Sequence, residues 1–180
     1  MAEKGKVFNA TVTKYYDSDF DSPIGTIELE KPLGGWSHLA IEDNNTRGYV
    51  TISYIDGDVA SYILKEFYEY LTFNSTHITL EFDGENVGDQ LVVVTGKSCC
   101  VWGNIYTAQG KTFNISVEDF IEQVTNDIEK NLTEWASFNI FVITDEEYYA
   151  ELEKSKKKLK KLIIKVRKEL EKYVKMFKDM

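Results

Sequence analysis

The chain has 180 residues, 43% of them apolar and 28% charged, with a formal net charge of −9. That length fits one domain, or one domain with an appendage, and the composition excludes a disordered or collagen-like chain. No window approaches the ~18 consecutive apolar residues of a membrane span, and the first residues lack a signal-peptide core, so the expected location is the cytoplasm.

Strand patterns come first. Val7 to Tyr16 alternates, with Phe8, Ala10 and Val12 on one face, and Gly25 to Glu30 alternates again. After the break at Pro32-Leu33-Gly34-Gly35, Trp36 to Glu42 and Gly48 to Ile55 predict two strands joined by a turn at Asp43 to Thr46. Asp56-Gly57-Asp58 then opens a helix whose apolar face is Val59, Tyr62, Ile63, Phe67, Tyr70 and Leu71. Thr76 to Phe82, Leu91 to Thr95, Cys99 to Thr107 and Lys111 to Ile115 predict further strands, with Gly103 marking a bulge or a close approach. Ser116 is placed to cap a helix with Phe120, Ile121, Val124, Ile128 and Leu132 on its apolar side. Phe138 to Ile143 reads as a short β run, and Thr144-Asp145-Glu146-Glu147 as the capping box of a final helix. Runs of strands, not strict alternation with helices, predict an α+β fold. It is a mainly antiparallel β-sheet with two packed helices and a long C-terminal helix. The division is an acidic α+β domain over residues 1–144 and a basic amphipathic helix over 145–180.

Charge is segregated along the chain. Residues 154–180 hold 12 basic and 3 acidic side chains, a net of +9, whereas residues 1–153 hold the other 9 basic and 27 acidic side chains, a net of −18. Such a body repels nucleic acid and attracts a basic protein surface. The final helix has neither Gly nor Pro from Asp145 to Lys178, about 50 Å of helix. Tyr149, Lys156, Ile163, Leu170 and Phe177 alternate with Leu152, Leu159, Val166 and Tyr173 at three-four spacing, a coiled-coil-like seam broken at Lys156. This seam packs on the body, on a second copy or partner, or lies on a membrane or nucleic acid; Leu152, Leu159, Ile163, Val166, Leu170, Tyr173 and Phe177 are its packing residues.

Asp17, Asp19, Asp21 and Glu28 stand at positions 1, 3, 5 and 12 of a stretch that resembles a calcium-binding EF-hand loop. Oxygen ligands at that spacing would converge on calcium. Position 6 is Ser22 instead of Gly, Pro23 follows, and the flanks read as strands, so a solvated acidic loop explains the same residues. Cys99 and Cys100 are adjacent and lack any C-x-x-C partner, which reads as two reduced thiols on a strand. Neither His38 nor His77 is tied by spacing to a nucleophile. Phosphate-loop, dinucleotide, nucleophile-elbow and zinc-helix motifs are missing, and no residue is assigned as catalytic.

The expectation is a non-enzymatic acidic protein that inhibits by covering a basic, nuclease-like surface, of the toxin-immunity or phage anti-defence kind, with carboxylates standing where phosphates would. Asp83, Glu85, Asp89, Asp17, Asp19, Asp21, Trp102 and Tyr106 are the candidate interface. The alternatives are assembly through the C-terminal helix as a homo-oligomer, and calcium or small-ligand binding; no cofactor other than calcium is implied.

Overall fold

A computed structural model describes residues 6–8, 37–43, 46–53, 56–83, 89–96, 98–104, 110–138, 140 and 144–178. Strands β1 (Lys6–Phe8), β2 (Ser37–Asp43) and β3 (Thr46–Ile52) form an antiparallel sheet in that order. A second antiparallel sheet runs β4 (Ile78–Asp83), β5 (Asp89–Thr95), β6 (Ser98–Asn104), β7 (Lys111–Asn114). Between the sheets in sequence lies α1 (Val59–Leu71); α2 (Val117–Lys130), α3 (Leu132–Ser137) and α4 (Asp145–Lys178) follow the second sheet. The mixed helix-and-antiparallel-sheet class expected from the pattern is the observed one.

The period-2 alternation places side chains as expected. Ile78, Leu80 and Phe82 are buried and Glu81 and Asp83 exposed, while Val92 and Val94 meet Leu80 and Ile78 across the β4–β5 register. Gln90 pairs with Asn104 but Leu91 with Trp102, so Gly103 is the extra residue of a bulge in β6. Within β6, Cys99 pairs with Val94 and Phe113, and Cys100 with Val93 and Thr112. In β2, His38 stands opposite Thr51.

Two predicted helix starts have the geometry their sequences imply. The Ser116 hydroxyl accepts from the Asp119 N–H at 3.1 Å. At α4, the Thr144 hydroxyl accepts from the Glu147 N–H at 3.2 Å, and the Glu147 carboxylate accepts from the Thr144 N–H at 3.3 Å. Two expectations need correction. Helix α2 ends at Lys130, capped by Asn131, whose N–H donates to the Asp127 carbonyl, so Leu132 begins the separate turn of α3. Phe138 closes α3, and the Ile140 N–H donates to the Ser137 carbonyl; neither lies in a strand. Both are buried, and burial makes a short run apolar whether or not it is a strand; residues 139 and 141–143 of the predicted run lie outside the described residues. The predicted strand over Gly25 to Glu30 lies outside the described residues.

Helix α4 is held by its apolar stripe. Tyr148, Leu152, Leu159, Ile163 and Val166 are buried in one cluster with Phe67 of α1, Phe120 of α2 and Trp135 of α3, and Leu162, Leu170 and Tyr173 pack against it half-buried. Tyr148 and Val166 stand 18 residues apart, five turns of about 3.6 residues, so the buried line follows a straight helix. A 3.5-residue seam drifts about 20° per heptad from that line, which is why Tyr149, an expected seam position, is 61% exposed while its neighbour Tyr148 is buried. Lys156, the polar break, is half-buried and its ammonium reaches Glu153 at 2.9 Å. No described helix is long and apolar enough to cross a membrane. Leu159 has no exposed surface. Leu159→Ala is expected to lower unfolding free energy by about 2–5 kcal/mol, read as a lower urea midpoint with unchanged slope.

Candidate functional site

The segment between β3 and α1 builds an acidic corner on the outer edge of β4. An edge strand leaves a row of backbone groups open to pairing. Here side chains take them. The Tyr62 hydroxyl accepts from the Glu81 N–H at 3.1 Å and donates to the Thr79 carbonyl at 3.3 Å. Asp56 accepts from the Asp83 N–H at 2.6 Å and, through its other oxygen, from the Ser53 N–H at 2.9 Å. The buried Ser53 hydroxyl donates to the Asp83 carbonyl at 3.1 Å. Alternate residues 79, 81 and 83 therefore present their outward backbone to α1 and its leading loop, while the Glu81 and Asp83 side chains are exposed.

Asp83 pairs in register with Asp89, also exposed, where β4 ends and β5 begins, at the connected end of the hairpin. Asp56 lies beside them. Burial pushes its carboxyl pKa up, the bonds from Asp83 and Ser53 pull it down, and the nearby Asp83 charge raises it; the net direction is upward. Asp58, two residues on, caps α1 by accepting from the Ser61 N–H at 3.2 Å and pairs with Lys158 of α4 at 2.6 Å. Burial acts to raise its pKa, but the bonds from Lys158 and Ser61 outweigh it and the carboxyl titrates below its ordinary value. One carboxylate at this corner, Asp58, is thus matched by a cation from the basic helix, and Asp56, Asp83 and Asp89 gather beside it. Among the described residues no group of three or more His, Cys, Asp or Glu side chains could hold a metal ion.

Of the expected interface residues, Asp83 and Asp89 meet at this corner, and Trp102 lies on β6 opposite Leu91, two strands in from β4. Glu85, Tyr106, Asp17, Asp19, Asp21 and Glu28 lie outside the described residues. On α4, Leu152, Leu159, Ile163 and Val166 are buried, Leu170 and Tyr173 half-buried, and Phe177 is exposed at the helix end. Asp56 and Tyr62 were not legible as functional. The Asp-Gly-Asp start marks a turn, and Gly57 adopts φ +73° there, but nothing in the spacing says that Asp56 reaches β4.

Compared with protein-family models, curated proteins and solved structures, the chain matches none.

Tyr62→Phe removes both edge bonds and is expected to cost about 1–3 kcal/mol in urea unfolding, because the Glu81 N–H and Thr79 carbonyl lose their partner. Lys158→Met tests the Asp58 pair. A carboxyl with a lowered native pKa adds stability above its unfolded value of 3.8, and loses it as the pH falls through the native one. The wild-type advantage over Lys158→Met is expected at pH 7, at no more than about 1 kcal/mol for so exposed a pair, and to fade below the ordinary carboxylate range.

Proposed function

We propose that the protein is a non-enzymatic inhibitor whose acidic body covers a basic, nuclease-like protein in the cytoplasm, as immunity and phage anti-defence proteins do. The observation that carries this reading is the separation of charge: a net of −18 over residues 1–153 against +9 over 154–180. An intramolecular collapse of the two poles would leave little net surface for a partner. Among the described residues only Lys158 and Arg167 of α4 form ion pairs with carboxylates elsewhere on the chain, Asp58 and Glu129. The exposed Glu81, Asp83 and Asp89 remain on the solvent side of the second sheet's edge, where a basic surface replaces its phosphate partners with carboxylates. Because side chains satisfy the backbone of β4 at Thr79, Glu81 and Asp83, recognition there uses side-chain charge, and strand addition is disfavoured.

The test is capture from host extract with tagged full-length protein, beside Asp83→Asn/Asp89→Asn, followed by assay of the captured protein's nuclease activity. Expected are a basic partner whose activity falls on binding, release as salt rises, and at least tenfold weaker binding by the double variant. Unchanged affinity and salt dependence in that variant would rule out this corner as the interface.

A further inference from the structure

A sheet that does not close on itself has edges, and each edge is a template on which another strand pairs. Among the described residues β4 has a strand on one side only, β5. Its sequence from Ile78 to Phe82 is well suited to pairing: three apolar residues, Thr79, and a single charge at Glu81. The outward backbone row is Thr79, Glu81 and Asp83. Tyr62 takes the Thr79 carbonyl and the Glu81 N–H, Asp56 takes the Asp83 N–H, and Ser53 takes the Asp83 carbonyl. The Tyr62 ring stands edge-on to the buried Phe82, with centroids 6.3 Å apart and planes at 84°, and this contact fixes its hydroxyl at the edge.

Charge adds a second barrier. An antiparallel pairing of two β4 edges that uses the whole row sets Glu81 opposite the same residue of the second copy, and Thr79 opposite Asp83. Opposite residues of a bonded antiparallel pair lie about 5.5 Å apart, and like charges there are destabilising. Glu81 and Asp83 are exposed, and Asp89, in register with Asp83, adds a further carboxylate at the strand end. A lone charge on an otherwise apolar and β-prone strand is a recurrent protection against self-pairing.

We propose that Tyr62, Asp56 and Glu81 together keep the chain from pairing with a second copy of itself through β4. Tyr62 and Asp56 occupy the backbone row, and Glu81 repels an identical strand. The second copy is the occupant of an uncovered row because antiparallel edge pairing is its own complement under a two-fold axis. Residue 81 lies at that axis, so its charge meets itself in a pair of like copies. Assembly through α4 has no such dependence on residue 81. The inference concerns the isolated chain and needs no basic partner, so it and the inhibitor reading fail separately.

The experiment is analytical ultracentrifugation of the full chain at low salt across a concentration series. The wild type is expected to stay at 20.7 kDa. Asp56→Ala/Tyr62→Ala uncovers the row and is expected to form dimers, with a cooperative urea transition showing that it folds. Adding Glu81→Lys to that variant keeps the like-charge contact and leaves its own dimer equally weak. An equimolar mixture of the two sets Glu against Lys at the axis, so the mixed dimer should be about threefold or more tighter than either alone, and high salt should erase the difference. Should the double change prevent folding, Tyr62→Phe, whose ring keeps its contact with Phe82, carries the same mixing test. A wild type already dimeric at low concentration would overturn the proposal. So would a folded, uncovered variant that stays monomeric, or dimers whose affinity is the same alone and in the mixture.

Discussion

The rest of the structure depends on the burial of one helical stripe. Leu159, Ile163 and Val166 close the core over α1, α2 and α3, and everything distinctive about the surface follows from where that leaves the rest of α4. A helix docked by apolar contact does not need its charges for attachment. Full burial of one Leu, Ile or Val side chain contributes about 1.5–3 kcal/mol, against at most about 1 kcal/mol for an exposed ion pair such as that of Lys158 with Asp58. The lysines are therefore not needed to hold the helix in place. Removal of residues 154–180 would take those three core side chains away, so loss of function on truncation would report loss of fold as readily as loss of a contact.

The acidic corner follows the same logic at smaller scale. The open side of β4 is a hazard for any sheet protein. Tyr62, Asp56 and Ser53 close it with hydrogen bonds whose donors and acceptors sit on α1 and its leading loop. Backbone is thereby satisfied and side-chain charge is left outward. A surface of that kind favours a partner recognised by charge and shape, with fast, salt-sensitive encounter.

Local signals in the sequence carried the elements well and the site poorly. Ser116 and the Thr144–Glu147 box identify helix starts because capping is short-range chemistry. Gly103 marks its bulge for the same reason. The helical stretch after Ser116 conceals a stop at Lys130, because Leu132 continues the apolar spacing into α3. Tyr149 and Tyr148 exchange roles because a 3.5 and a 3.6 period differ too little over a few turns to be separated by eye. Asp56 reaching Asp83 and Phe73 stacking on Tyr173 join residues 27 and 100 apart; only the fold makes those pairs, and no local pattern announces them.

The most direct measurement is hydrogen exchange of the amides from Leu159 to Val166 in the native protein, at low salt and at about 1 M salt, where the Debye length is near 3 Å. Docking held by apolar burial predicts that these amides open only with global unfolding and that high salt does not speed their exchange. Exchange in a separate, faster opening that salt promotes would contradict it, and would mean that attraction between the two charged parts holds the helix in place.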